Sequence, residues 1–200
     1  MKSYVKAYSD KQLLDRMKSL KDFVFMPPGY HIITIRSNEN SVKGYRHKLY
    51  LFYRETFVMV MPCTTNSGIY GLKNFKKWNK LGAAVIKSNQ ICYDAFMKSD
   101  GFKTRHHNGK MQCLRLMKKI WYYRDGNMDD KIDETGNLYK ANYATNLHAN
   151  SYNFFTGIRS WFIGKWSTGC IVVNDLTKYY KMLKKIPYNT LVTVTILKEF

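Results

Sequence analysis

Nowhere in the chain do two cysteines stand in a CxxC or CxxxxC pair; Cys63, Cys92, Cys113 and Cys170 are scattered singly. That spacing excludes a zinc knuckle and a thioredoxin-like redox motif, and it outlines no disulfide framework. Unpaired cysteines are ordinarily buried as small hydrophobes. No apolar run approaches the roughly 20 residues of a membrane span. The opening "MKSYVKAYSDKQLLDRMKSL" has no apolar core of a secretory signal. The expectation is synthesis in a cytoplasm without a signal peptide, with any passage to the cell exterior by another route. Internal repeats and low-complexity tracts are also absent. Acidic residues are scarce: 14 Asp and Glu stand against 33 Lys and Arg, a formal charge of +19 and a pI near 9.7. Such a field attracts polyanions: nucleic acid, anionic lipid or acidic envelope polymers. The basic residues are spread along the chain, which argues against a dedicated nucleic-acid arm.

What is present is aromatic and apolar. The chain of 200 residues is 45% hydrophobic and carries 16 Tyr and 11 Phe, enough for a sizeable core and suited to pleated sheets. A helix is expected after Asp10 with Leu13, Leu14, Met17 and Leu20 on one face, an N-terminal extension over 1–25. "MPPG" at 26–29 is a hard stop, and the main domain is expected over 26–200. Strands are expected at 30–36, 47–54, 57–61, 83–87, within 112–124, where a helix is the alternative, and at 190–197, with a Thr/Asn/Gly loop "PCTTNSGIYGL" after the third. "NDLTKYYKMLKK" reads as a helix capped by Asn174 or Asp175 and ended by Pro187. The fold class is mainly β, a β-rich α+β domain with a few short helices.

One stretch carries chemistry. "HANSYNFFTGIRSWFIGKWSTGC" joins His148 to Cys170, 22 positions later. A thiol becomes a nucleophile as the thiolate, and an adjacent imidazole or converging backbone N–H groups favour that form. Gly169 permits a tight turn before Cys170, so that consecutive N–H groups converge where an oxyanion would form. Ser167 is placed to hydrogen-bond within the turn or to steady the histidine. Packing is the competing explanation, because a histidine near a cysteine is common.

The joint pattern of strand, His, glycine-bearing loop, Ser-x-Gly-Cys, apolar strand and capped helix resembles the L,D-transpeptidase (YkuD-like) catalytic domain family. Here His148-Ala149 opens the motif, Ser167-Thr168-Gly169-Cys170 closes it and Ile171 follows. Thr168 stands where the family has His, and Val172 and Val173 stand where an Arg is common. "MPCTTNSGIYGL" is similar to the family's substrate-side segment. The resemblance implies an L,D-transpeptidase-like mixed β-sandwich and acyl transfer on peptidoglycan stem peptides through a thioester, without metal or cofactor. It makes Cys170 the nucleophile and His148 the base, with Gly169 and Cys170 N–H groups on the oxyanion and Ser167 in the turn. It places Thr65, Asn150, Thr168 and Trp166 on the substrate side. A hydrolytic role as a phage-type, virus-encoded lysin, its basic surface adhering to anionic envelope polymers, fits the charge and the missing signal. Two alternatives stand beside it: a cysteine peptidase unrelated to the wall, and a non-enzymatic basic module that grips nucleic acid or a virion partner.

Three further features are weighed. "RDGNMDDKIDETG" (124–136) sets Asp125, Asn127 and Asp129 at alternate positions, with Asp133 further on, like the start of a calcium loop. Asp130 replaces its glycine and Gly136 its bidentate Glu, so a solvated acidic turn is favoured. "RHHNG" (105–109) carries adjacent histidines that point apart on a strand. "SWFIGKW", with Trp161 and Trp166, reads as an aromatic lid over the site or as core.

Overall fold

A computed structural model describes residues 5–39, 41–77, 79–98, 111–150, 162–165 and 167–200. Among them the chain is mainly β with three short α-helices. In chain order these are α1 (Asp10–Lys18), β1 (Tyr30–Arg36), β2 (His47–Tyr53), β3 (Thr56–Thr64), α2 (Ile69–Lys73), β4 (Ala83–Ile86), β5 (Gln90–Lys98), β6 (Leu114–Leu116), β7 (Ile120–Asp125), β8 (Tyr139–Ala141), β9 (Leu147–Ala149), β10 (Ile171–Val173), α3 (Leu176–Lys185) and β11 (Thr190–Lys198). Eight strands close into a barrel in the order β1-β11-β5-β6-β9-β10-β3-β2, and β4-β7-β8 form a separate small sheet. Closure leaves no exposed edge on the larger sheet.

β1 shows why the first strand is so apolar. Ile32 belongs to the barrel core, whereas Ile33 and Ile35 pack outward beneath α1. With both faces covered, "HIITI" reads as a near-continuous buried run rather than an alternation. α1 buries Leu13, Leu14 and Met17 against Ile33, Ile35, Tyr50, Phe52 and Leu197. Its N-cap is Ser9, not Asp10. Ser9 Oγ accepts the Gln12 N–H and Gln12 Oε1 accepts the Ser9 N–H, a capping box that satisfies two end donors at once.

Opposite ends of the barrel are closed differently. α3 covers one, with Leu176, Tyr179, Met182 and Leu183 in the barrel core and Asp175 capping by accepting the Lys178 N–H. Toward the other end, Arg36 is fully buried and ion-paired with Glu134, and its Nε donates to Thr65 Oγ1 at 2.9 Å. Glu134 in turn accepts from the Ser88 N–H and hydroxyl. The negative charge of Glu134 offsets the cost of burying a guanidinium, which is high when unpaired. The small sheet bridges two cores: Ala84 and Ile86 face the barrel cluster, while Ala83 and Val85 face a satellite cluster with Leu72 and Phe75.

Several expected elements changed shape. The stretch 112–124 is two strands, β6 and β7, separated by a turn at 117–119. β5 escaped sequence reading because its pattern breaks at Asp94, which has φ +48 and sits where the pairing with β11 slips between Val192 and Val194. The Thr/Asn/Gly loop contains α2, opened by Gly68.

Candidate active site

β10 lies between β3 and β9, parallel to β9 and antiparallel to β3. Ile171 and Val173 point into the barrel core, so Cys170 and Val172 point outward and pack with Tyr45 and Ile163. On β9, Leu147 and Ala149 point inward, which turns His148 outward as well. His148 is the register partner of Val172 and Leu147 that of Ile171. Cys170 therefore stands beside Asn146, two positions from His148 and on the same outer face. Neighbours offset by two positions across a strand pair stand roughly 7–8 Å apart, and among the described residues no hydrogen bond joins Cys170 Sγ to His148 Nε2.

Both groups are oriented. His148 is fully buried, and its Nδ1 lies 2.7 Å from the Ala149 carbonyl. A carbonyl only accepts, so Nδ1 carries the proton in the neutral ring and Nε2 presents its lone pair. Cys170 Sγ accepts the Asn146 N–H at 3.5 Å. Cys170 as a residue is 8% exposed. Burial pushes its pKa up, to about 11, against the opposing Asn146 N–H. The resting group is therefore a thiol, since burial disfavours the anion.

The turn before Cys170 is built by Ser167. Its Oγ donates to the Cys170 carbonyl at 2.9 Å and accepts the Gly169 N–H at 3.2 Å. Ser167 acts within the turn and does not touch His148 by any hydrogen bond among the described residues. The Gly169 N–H is thereby spent, which removes one of the two oxyanion donors expected there; the Cys170 N–H makes no hydrogen bond among the described residues. Gly169 adopts φ +128, and a Cβ on it would meet the Ala84 carbonyl at 3.0 Å. Gly71 lets α2 approach the same turn, where a Cβ would lie 2.8 Å from Ser167 O, and the Gly68 N–H donates to Ser167 O at 2.9 Å. β4 and α2, elements far apart in sequence from Cys170, clamp the turn.

The substrate-side residues separate. Thr168 is exposed on the turn. Thr65 is not available to a ligand: it is fully buried, its Oγ1 is engaged by Arg36 and its N–H donates to His47 Nδ1 at 3.0 Å. His47 stays neutral, its pKa held well down by burial and by the Arg36 charge. Asn150 is buried beside the site, its N–H bonded to Val173 O and neither side-chain atom hydrogen-bonded among the described residues. The Tyr45 hydroxyl, raised by burial, lies near enough to feel the Asn150 amide without a geometric hydrogen bond. Trp166 and Trp161 lie outside the described residues, as does 105–109. Sequence reasoning missed Tyr45 and Asn146. Asn146 carried a signal, since it precedes His148 by two in "NLH"; Tyr45 carried none.

In the acidic stretch, Asn127 Nδ2 donates to Asp129 at 3.2 Å and to Asp133 at 2.7 Å, while Asp125 accepts the Asn127 and Asp133 N–H groups. An amide cation-mimic sits between the carboxylates, the arrangement of a self-satisfied turn. Among the described residues no group of three or more His, Cys, Asp or Glu is placed to hold a metal ion. No helix among them is long and apolar enough to cross a membrane.

No protein-family model matches the chain, and comparison with curated proteins and with solved structures finds no match.

Proposed function

We propose that the protein is a cysteine acyl-transfer enzyme acting on peptidoglycan stem peptides, as a peptidase or an L,D-transpeptidase. The observation that carries this is the shared outer face of Cys170 and His148 on paired strands, with the His148 tautomer set by Ala149 O. The Ser-x-Gly-Cys turn and its resemblance to the YkuD-like family supply the substrate class, and with it the expected mixed sandwich, for which the described strands offer a β-rich barrel with a side sheet.

In this reading Cys170 attacks a stem-peptide carbonyl as His148 Nε2 takes the thiol proton. The Sγ–C bond forms, the C–N bond breaks, and His148 returns the proton to the leaving amine. Water or an amine then attacks the thioester and Sγ leaves as thiol. Because the resting thiol pKa is high, deprotonation accompanies attack instead of preceding it. The Cys170 N–H is the turn donor that remains for the oxyanion.

The burial of Cys170 favours a second reading, a non-enzymatic basic module on the same scaffold, for which nucleic acid or a virion partner is the ligand. Intact-protein mass spectrometry separates the two. Mixing with purified muropeptides, and separately with a carbapenem, should add a covalent mass to the wild type but not to Cys170→Ala. No adduct and no change in the muropeptides would move the weight to the module, whose nucleic-acid binding should weaken steeply with salt.

A further inference from the structure

Away from the Cys170 turn, two hollows of about 250 Å³ each adjoin one another along β5, β7 and β8. Both are lined by Asp22, Gln90 and Trp121, so they form one groove with the indole between them. Its lining carries five lysines, Lys21, Lys87, Lys118, Lys119 and Lys140, against one carboxylate, Asp22. Neither Cys170 nor His148 lines it.

These lysines are not neutralised. Among the described residues none of the five forms an ion pair, whereas cations elsewhere do, such as Lys18 with Glu55, Lys43 with Asp130 and Arg46 with Glu39. Lys118 Nζ donates to the Tyr93 carbonyl at 3.0 Å and Lys87 Nζ to the Ser88 carbonyl at 3.2 Å, bonds that place the ammonium groups without cancelling their charge. Asp22 is occupied in accepting the Ile91 N–H at 2.9 Å. A cleft lined by one sign of charge focuses its field and draws in an anion.

Charge alone would suit any polyanion; Trp121 narrows the choice. The buried Gln90 amide brackets its main chain, donating to the Trp121 carbonyl at 3.0 Å and accepting the Trp121 N–H at 3.2 Å. The strand beneath the indole is thus fixed. Between buried Ile120 and Tyr122, Trp121 is left exposed. Lys140 is its cross-strand partner on β8 and holds Nζ 5.4 Å from the ring centroid, so a cation and a π-face are presented together. Single-strand sites use this combination: bases stack on the ring while ammonium groups follow the phosphates. A duplex has its bases already stacked, and an acidic wall polymer has charge but no π-face.

We propose that this groove binds single-stranded nucleic acid, with a base stacked on Trp121 and the phosphates tracked by the five lysines. The inference does not rest on the acyl-transfer reading, since Cys170 lies outside the groove.

The test is fluorescence anisotropy with a labelled oligothymidylate of about 16 nucleotides, the upper end of single-module site sizes. Wild type and Cys170→Ala should bind it alike. Unlabelled single strand should compete better than duplex or polyphosphate at equal phosphate concentration. Trp121→Ala should weaken binding by about 5- to 150-fold, the range for losing one stacked base, with its salt dependence unchanged. Lys119→Gln with Lys140→Gln should flatten the slope of log Kd against log salt by about 1.4, as for two lost phosphate contacts. The same change at Lys184 and Lys185 on α3 should alter it little. Stacking should also quench tryptophan emission in wild type and less in Trp121→Phe, a readout that serves if Trp121→Ala fails to fold. Four results overturn the groove without touching Cys170: no binding by wild type, equal competition by duplex or polyphosphate, equal losses from the two lysine pairs, or an undiminished quench in Trp121→Phe.

Discussion

Cys170 and Asn146 are locked across the β9–β10 pair: the Asn146 N–H points at Cys170 Sγ from 3.5 Å, while the Ile171 N–H returns to Asn146 O at 3.0 Å. This clasp fixes where the thiol stands relative to His148, two residues along the same strand. It also means that the sulfur meets a donor before any substrate arrives.

Removing the thiol should therefore stop turnover with little change in fold. Cys170→Ala is expected to lower muropeptide turnover on the order of 10⁴-fold or more, as for other nucleophile deletions. Its stability loss should be about 1 kcal/mol, typical of a small buried truncation. Activity assays and chemical denaturation check both; full residual activity sinks the nucleophile assignment. His148→Gln should lower turnover about 10²- to 10⁴-fold, the range for a general base.

The thiol's titration gives a second expectation. Burial raises the pKa to about 11, so the reactive anion is scarce at neutral pH and grows as pH rises toward that value. Alkylation of free enzyme by iodoacetamide at Cys170 should accelerate through pH 9 without a plateau there. A plateau below pH 8 would mean a preformed thiolate and would contradict the closed geometry.

The Arg36–Glu134 pair sets an acid limit. Burial alone would raise the Glu134 pKa, but the Arg36 charge and the Ser88 hydrogen bonds outweigh it and hold the carboxyl below its ordinary range. A depressed folded pKa contributes stability above the unfolded value of about 4.3, lost as pH falls through the folded value. Glu134→Gln should cost about 3 kcal/mol at pH 7, because Arg36 is left buried without its anion. The gap between variant and wild type in urea unfolding should shrink below pH 4. A gap constant with pH would assign the loss to packing instead.

The turn is the third place to press. Gly169→Ala must place a Cβ against the Ala84 carbonyl at a φ of +128, and a strained backbone of this kind costs of order 1–3 kcal/mol. Lower stability together with lost turnover is expected. Thermal unfolding and the muropeptide assay on the same preparation check it; an alanine variant with wild-type melting would show that β4 yields to the turn.

Much of the molecule follows from local pattern. The apolar runs at 30–36, 47–53 and 190–197 and the Asp175-capped helix each state their own structure, because apolar run length and capping chemistry act over a few residues. The motif pair His148 and Cys170 was legible for the same reason, each standing next to a short apolar strand. Tertiary packing decided the rest. Whether the two residues shared a face depended on the parallel register of β9 and β10, which no spacing along the chain reveals. The thiol's raised pKa came from Tyr45, Ile163 and Val172 closing over it, and desolvation is a property of neighbours rather than of sequence. Thr65 looked like a ligand contact from its loop, yet the barrel turned it inward to serve Arg36.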